Sequence, residues 1–574
     1  MKLLIPLAFI TTLAGAAPFT PDLDSLKQYR CPDWFRDAKF GIWAHWGPQA
    51  VPMDGDWYAR GMYEPGNGHY RHHLETYGHP SVHGYKDIIP LWKAEKWDPE
   101  RLMDLYQKAG AKYFVSMGSH HDNFSLWNDK FHRWNAVEMG PKRDIVGEWR
   151  AAARKRGLKF GVSEHLAASY TWFQTSHGSD AKGDKAGIPY DGADPAYADL
   201  YHPPATPGDT AWYSTNEVWH AEWSRRITGL LTDYQPDLLY SDGGLPFGIT
   251  GRRLLAEYYN RGTPPGADGP QVVYTCKSLH GNFENNQFVK EFCVPDVERG
   301  GMAGIEEEPW QTDTSIGDWY CNRNWKPRGA DWVVRALADI VSKNGNLLLN
   351  VELQPDGSLA PDVEKTLLDL AGWMAVNGDA IFGTRPWKIH GEGPTRLKAG
   401  HFNDSFAFKA RDIRFTTRGA ALYAIALGWP EEGKLTIRSL AKPNDVTSVK
   451  LLGHAAPLVW TQTEKGLEIV LPEKRTSEIA IAFEIRGRQL APVAWVDAIR
   501  PGRDGVITLT PDASGQTTEI MEGRMNIGCG MTAPTRPSGR SISETRRLPG
   551  LHHLRRGGRA QPPGLRGGRP EPLR

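Results

Sequence analysis

Asp242 carries the sharpest chemistry in this 574-residue chain. It ends the run Leu238-Leu239-Tyr240-Ser241 and precedes Gly243-Gly244, glycines that permit a tight turn and a close approach of substrate to backbone. A carboxylate placed there suits nucleophilic attack in glycosyl transfer. It also suits the N-cap of a following helix. Retaining glycosyl transfer needs a second carboxyl about 5–5.5 Å away, protonated at the outset, and nearby negative charge favours that proton. The downstream candidates are Glu284, Glu291, Asp296, Glu298 and the run Glu306-Glu307-Glu308. Glu298 stands before Arg299-Gly300-Gly301, as in a loop at the top of a strand; the glutamate run reads as a solvated loop.

His45, His120, His121 and His165 each follow a short apolar run. A neutral imidazole both donates and accepts, which suits sugar hydroxyls. A metal site is the weaker reading. His120 and His121 would point in different directions on an extended chain, and there is no H-E-x-x-H. His72, His73, His79 and His83 read as a surface loop. The 22 Trp, 20 Tyr and 19 Phe imply a large aromatic core, with rings to spare for the apolar face of a pyranose.

These groups need a scaffold that gathers strand ends on one face. Apolar runs at Phe40–Ala44, Tyr113–Met117, Phe160–Ser163, Leu238–Tyr240, Val272–Tyr274 and Leu347–Leu349 read as strands buried on both faces. Helical stretches at Asp98–Gly110, Asp144–Arg156, Glu217–Tyr234, Ala330–Asn344 and Ala360–Asn377 alternate with them. The pattern predicts an α/β fold, a (β/α)8-like barrel over residues 22–387, whose strand C-termini share one face. The segment Ser176–Thr210, rich in Gly, Pro, Asp and Ala, is long enough to form an active-site wall or lid.

After Trp387 the pattern changes to short alternating runs: Phe406–Lys409, Ala421–Ala426, Lys434–Ser439, Ser448–Leu452, Leu467–Leu471 and Ile479–Ile485. They predict a C-terminal antiparallel β-sandwich over residues 395–487. Residues 496–530 read as the start of a truncated third domain. Residues 531–574 are almost entirely Arg, Gly, Pro, Ser and His, a basic tail that cannot bury a core. Its composition resembles an out-of-frame reading of GC-rich DNA.

Met1–Ala16 reads as a signal peptide: Lys2, an apolar stretch, then Ala14-Gly15-Ala16. It predicts a secreted or periplasmic protein, and no later run is long and apolar enough to span a bilayer. A net charge of +1 gives no field to draw nucleic acid or an acidic membrane. Five cysteines without C-x-x-C spacing leave at least one thiol unpaired and do not indicate a structural zinc.

Taken in order, several motifs resemble the α-L-fucosidases of glycoside hydrolase family 29. They are Lys39–Gly47 (KFGIWAHWG), Asp56-Trp57-Tyr58, His120–Phe124 with Leu126-Trp127, Gly140–Glu148 (GPKRDIVGE), Asn344–Asn350 (NGNLLLN) and Asn377–Ile381 leading to Thr384–Trp387. The resemblance implies a barrel followed by a β-sandwich, and a retaining double displacement with neither metal nor organic cofactor. It implies a fucosylated glycan or oligosaccharide as substrate, with no nucleic-acid or membrane partner. Carried over, Asp242 matches the nucleophile and Glu298 the acid/base. His45, Asp56, Trp57, His120 and His121 match residues that hold fucose; His165, Tyr240, Lys277 and Trp319 join them as substrate-binding candidates.

Tyr240 replaces the usual Trp at the nucleophile strand. Three departures suggest a subgroup: Asp56 stands where Glu is usual, Lys277 where many members carry Arg, and Gln311 where some relatives have Glu. Two other functions stay open at this level: a secreted fucose-binding protein with a decayed site, and a glycosidase for another deoxy or galacto-configured sugar.

Overall fold

The computed structural model describes residues 18–494 and the backbone of two further strands, Thr518–Met521 and Arg524–Ile527. The leader-like Met1–Ala16 and the basic tail 531–574 lie outside the described residues, as does most of 496–530.

Eight parallel strands close into a barrel: β1 (Phe40–Ala44), β2 (Tyr113–Ser119), β3 (Lys159–Glu164), β4 (Leu238–Ser241), β5 (Val273–Lys277), β6 (Val294–Asp296), β7 (Trp310–Ser315) and β8 (Gly345–Asn350). Each pairs with its neighbours in sequence, and β1 pairs with both β2 and β8. The (β/α)8-like expectation holds. Apart from Lys159, every strand residue is buried, as strands between a filled barrel and a helical coat must be.

Six long helices coat the outside: α1 (Pro99–Lys108), α2 (Ile145–Lys155), α3 (Glu217–Tyr234), α4 (Ile249–Arg261), α5 (Ala330–Ser342) and α6 (Pro361–Asn377). The first three start at polar caps whose side chains accept backbone N–H groups: Asp98 from Arg101, Asp144 from Gly147, and Asn216 from Val218. Among the described residues, no α-helix lies between β5 and β6 or between β6 and β7. Loops there leave the barrel top open beside Lys277 and Glu298.

The two strands that show no apolar run in the sequence are β6 and β7. The sequence of β7, Trp310-Gln311-Thr312-Asp313-Thr314-Ser315, is mostly polar yet buried. Its polar groups are paired inside the barrel: Gln311 Nε2 donates to Asp296 Oδ2 at 2.6 Å, and Tyr113 Oη donates to Gln311 Oε1 at 2.9 Å.

The segment 176–210 is tied to the body of the domain. Tyr70 and Tyr190 donate to Asp180, and Tyr63 and Tyr201 donate to Asp191 at 2.7 and 2.6 Å. His72 and His73, expected on a surface loop, lie instead on the helix Gly68–Thr76. His73 is buried: Tyr58 Oη bonds Nδ1 at 3.0 Å, and Nε2 donates to the His83 carbonyl at 2.8 Å.

The C-terminal region is antiparallel. A five-stranded sheet runs β9 (Arg385–Glu392), β10 (Ile413–Arg418), β11 (Ala421–Ala426), β16 (Ile481–Arg488) and β13 (Asp445–Leu451). A three-stranded sheet runs β12 (Lys434–Ile437), β15 (Gly466–Val470) and β14 (Trp460–Thr463). Phe415, Leu435, Ile437, Leu467, Ile469 and Phe483 pack in the core they share. The strand expected at Phe406–Lys409 does not form. Phe406 stacks on Trp332 and Phe408 lies under Arg414, so this stretch is spent on packing against α5.

A buried ion triad joins the two parts. Asp339 on α5 takes Lys343 at 2.8 Å and Arg414 of β10 at 2.6 Å. The strands Thr518–Met521 and Arg524–Ile527 form a separate antiparallel pair. No helix among the described residues is long and apolar enough to cross a membrane.

Candidate active site

The ends of the barrel strands bring the sequence candidates into one cavity of about 340 Å³. Asp242 follows β4, with Tyr240 two residues before it. Lys277 ends β5, Glu298 follows β6 and Asp313 stands on β7. The Lys277 Nζ is fully enclosed and lies 2.9 Å from Asp242 Oδ1, 2.8 Å from Glu298 Oε2 and 3.1 Å from Asp313 Oδ2. Asp242 Oδ1 and Glu298 Oε2 are therefore at most about 5.7 Å apart, the sum of their contacts to that nitrogen, a bound that admits the roughly 5–5.5 Å of retaining glycosidases.

Tyr240 Oη donates to Asp313 Oδ2 at 3.0 Å and lies 3.3 Å from Asp242 Oδ1. On the other side of the nucleophile candidate, His121 Nε2 and His165 Nδ1 each stand 3.3 Å from Asp242 Oδ2. Both carboxylate oxygens are thus held by the protein.

His120 lines the cavity, and His121 packs beside it with the rings 4.3 Å apart; His120 Nε2 is turned toward Asp56 and His121 Nε2 toward Asp242. The chain is not extended there, because β2 ends at Ser119 and a turn follows. The turn is locked from below: Arg226, buried on α3, donates to Asn123 Oδ1 at 2.7 Å, to Ser125 Oγ at 2.8 Å and to Asp129 Oδ2 at 2.9 Å. Gln49 Oε1 accepts from the Ala59 N–H, so its Nε2 donates to His120 Nδ1 at 2.8 Å. That places the His120 proton on Nε2, which is 3.6 Å from Asp56 Oδ1. His121 Nδ1 donates to the His165 carbonyl at 2.8 Å. His45 stacks on Trp43 at 4.8 Å, and neither of its ring nitrogens has a hydrogen-bond partner among the described residues. An imidazole of this kind is free to meet a ligand hydroxyl.

Trp57 and Trp319 line the same cavity, as expected, and Trp57 is 39% exposed at its mouth. Sequence reasoning missed Trp43, Trp212, His280, Asp313 and Phe402. Trp43 sits inside the quoted first-strand motif, and its pleat position is the available clue. Asp313 is hidden in a strand without an apolar run. Phe402 comes from the segment after β9, whose chain returns to the barrel: its N–H donates to the Glu298 carbonyl at 2.8 Å, while His401 Nδ1 accepts from the Glu298 N–H at 3.0 Å. Glu298 is fixed through its backbone by residues about a hundred positions downstream.

Burial and charge separate the two carboxyls. Burial pushes the Asp242 pKa upward, but Lys277, then His165 and His121, overcome it and hold the group well below the usual carboxylate range. Glu298 moves the other way, to about 7, because burial, with Asp313 and Asp242, outweighs the opposing pull of Lys277. One carboxyl is a stable anion and the other holds a proton near neutral pH. Burial also lowers His45 and His120 well below the ordinary imidazole value and His165 to about 4, so all three are neutral hydrogen-bonding groups. Burial, reinforced by Asp318, raises Asp56 well above its ordinary value and so favours its protonated form.

Two triads could hold a metal ion by proximity: His45, His120 and His165, and His121, His165 and Asp242, with ligand atoms in each triad within 4.8 Å of one another. The first is a set of neutral nitrogens of the kind that Zn²⁺ and Cu²⁺ prefer. The two carboxyls Asp242 and Glu298, joined through Lys277, stand beside it.

A closed parallel barrel with a buried carboxylate anion and a protonated carboxyl at the strand ends defines the glycoside hydrolase class. The family profile described as Alpha-L-fucosidase matches residues 7–379, and that described as Alpha-L-fucosidase C-terminal domain matches residues 403–486. The chain belongs to the α-L-fucosidase family. It is 29% identical to the tissue α-L-fucosidase of Rattus norvegicus over 491 residues, covering 82% of this chain and 93% of that one. It is 29% identical to the human tissue enzyme over 483 residues, covering 81% and 90%. The crystal structure of Thermotoga maritima α-fucosidase in complex with fucose superposes with a TM-score of 0.63 at 28% identity, covering 81% of this chain and 99% of that one.

Proposed function

We propose that this protein is an exo-acting, retaining α-L-fucosidase in which Asp242 is the nucleophile and Glu298 the acid/base. Asp242 attacks the anomeric carbon of a terminal fucosyl residue. The bond to the leaving oxygen breaks, Glu298 gives that oxygen its proton, and a fucosyl ester forms on Asp242. Water then attacks the anomeric carbon, Glu298 takes its proton, and the bond from that carbon to the Asp242 oxygen breaks. Fucose leaves and Asp242 is restored as the anion.

The observation that carries this reading is the single ammonium of Lys277 shared by Asp242 and Glu298. It lies between an anion and a proton donor whose separation is bounded at about 5.7 Å, within reach of what double displacement needs. His45, His120 and Asp56 supply hydrogen-bonding groups for the ring hydroxyls. Trp43, Trp57 and Trp319 supply apolar walls, against which the C6 methyl of fucose is favoured over the hydroxymethyl of galactose. The leader-like Met1–Ala16 supports action outside the cytoplasm.

The test is turnover of 4-nitrophenyl α-L-fucoside beside a panel of other aryl glycosides. Asp242→Ala should abolish fucose release, and azide should restore part of it as fucosyl azide. Full activity of Asp242→Ala would refute the assignment; preference for another glycoside would redirect the substrate.

A further inference from the structure

A second cavity, of about 730 Å³, adjoins the active-site cavity. Both volumes lie in the roughly 300–1,000 Å³ range of small-molecule sites, and the second is the larger. Trp57, Trp212 and His280 line both. Trp212 and His280 stack at 3.9 Å and 15°, and Trp57 lies parallel to Trp212 at 6.2 Å. A row of rings therefore runs from one cavity into the other.

The row is anchored to the catalytic strand ends. Trp212 Nε1 donates to the Asp242 carbonyl at 3.1 Å, and the neighbouring Tyr213 Oη donates to the same oxygen at 3.2 Å. His280 follows Lys277 by three residues. The outer wall is the end of the long segment after β3. Gln174 braces it by donating to the Pro203 carbonyl at 3.1 Å and accepting from the Ala205 N–H at 2.8 Å. Thr171 Oγ1 donates to the Trp212 carbonyl at 3.1 Å. Thr206 and Thr210 line the cavity at its mouth, where both residues are exposed.

We propose that this second cavity is a leaving-group subsite that binds the neutral saccharide from which fucose is removed. The inference rests on the fucosidase reading and extends it to substrate class: oligosaccharides with at least two sugar units beyond the fucosyl bond. Aromatic faces match the apolar faces of pyranoses, and the walls carry little net charge, with Arg60 paired to Glu64 at 3.0 Å. Continuity through three shared side chains marks the occupant as the same molecule that fills the fucose pocket.

The experiment compares the full chain with Thr206→Trp and Thr210→Trp, exposed substitutions that fill the second cavity and touch no group of the fucose pocket. The substrates are 4-nitrophenyl α-L-fucoside, 2′-fucosyllactose and 3-fucosyllactose, with lactose as product inhibitor. Both variants should cleave the aryl fucoside as the parent does. On the better trisaccharide they should lose about tenfold in kcat/KM, through KM, and lactose should inhibit them correspondingly less. Equal rates for parent and variants on the trisaccharides, or equal losses on all three substrates, overturn the subsite. If no fucoside is cleaved at all, the activity itself fails. The cavity is then judged by calorimetric titration of lactose into the parent: saturable binding lost in Thr206→Trp keeps the subsite, and no binding removes it.

Discussion

Lys277 Nζ lies 2.8 Å from Glu298 Oε2 while also holding Asp242 at 2.9 Å and Asp313 at 3.1 Å. One buried cation thus serves three carboxyls, and their protonation is linked through it. Asp242 and Asp313 in turn raise the Lys277 pKa well above the ordinary ammonium value against the lowering effect of burial. The ammonium stays charged beyond the ordinary lysine range, so near neutral pH the response falls on the carboxyls.

The first consequence is the shape of the pH profile. Glu298 must be protonated to act as acid, and its pKa is about 7. For substrates with poor leaving groups, kcat/KM should fall as pH rises through about 7. Asp242 must be ionised, and its pKa is held well below 3.8, so the acid limb set by this group lies below the ordinary carboxylate range. In Glu298→Gln the limb near 7 should vanish, with a far larger loss on natural glycosides than on 4-nitrophenyl fucoside. A surviving limb near 7 would assign it to another group.

Replacing Lys277 tests the shared cation. Lys277→Met leaves Asp242, Glu298 and Asp313 without their counter-charge. Loss of activity on the order of 10²–10³-fold is expected, as for removal of a preorganised electrostatic group. The residual activity carries the sharper signature. Because Lys277 lowers the Glu298 pKa, its removal should shift the basic limb to higher pH. Lys277→Arg keeps the charge and should retain more activity than Lys277→Met; equal losses would show that charge is not what this position supplies.

Tyr240 stands at a position where the resembling family usually has Trp, and its hydroxyl reaches the carboxyl cluster. It bonds Asp313 at 3.0 Å and approaches Asp242 at 3.3 Å. Tyr240→Phe removes a donor to Asp313 and Asp242 and should lower kcat by roughly tenfold to a hundredfold with little change in KM. A change confined to KM would mean that Tyr240 only contacts sugar.

Six of the eight barrel strands are legible as apolar runs, because a strand covered on both faces must be apolar. The exceptions, β6 and β7, are the strands whose side chains build the acid cluster, Asp296, Gln311 and Asp313. Pairing inside the barrel replaces hydrophobicity there, and no local pattern reports it. Asp242 is visible for the opposite reason: it is the only carboxylate in an apolar run with glycines behind it. Glu298 is held by His401 and Phe402, residues about a hundred positions away, so its placement depends on a contact no local spacing encodes. The turn that carries the paired histidines is set by Arg226 on a distant helix, which no local spacing encodes.

Stability should also depend on pH through groups outside the pocket. Burial, reinforced by Asp318, raises the pKa of Glu352 from 4.5 to about 8. A carboxyl raised in the folded state binds more protons there than in the unfolded chain, so its contribution falls as pH rises from about 4.5 through 8. The buried histidines act in the opposite sense, with His165 and His73 lowered to about 4, and their effect is complete by the ordinary imidazole value of 6.5. Above about 7 the buried Lys39, lowered from 10.5 to about 7, begins to oppose the carboxyl effect. Glu352→Gln should raise Tm more at pH 8 than at pH 5; an equal change at both would show that Glu352 is not titrating in this window.

The Asp339 triad predicts how the barrel and the C-terminal sheets are coupled. Asp339 accepts from Lys343 at 2.8 Å and from Arg414 at 2.6 Å, and the two basic side chains are almost entirely enclosed. Burial opposes the charge of Asp339, but Arg414 and Lys343 prevail and keep it a carboxylate. Asp339→Ala would strand two buried cations on opposite sides of the junction, at a cost of about 3–5 kcal/mol. Urea unfolding should show that loss, and it should also separate the transition into two phases if the triad couples barrel and sheets. Replacing all three residues with apolar side chains of similar volume should recover much of the stability, since the penalty comes from uncompensated charge. A single cooperative transition at unchanged midpoint in Asp339→Ala would remove the triad from any coupling role.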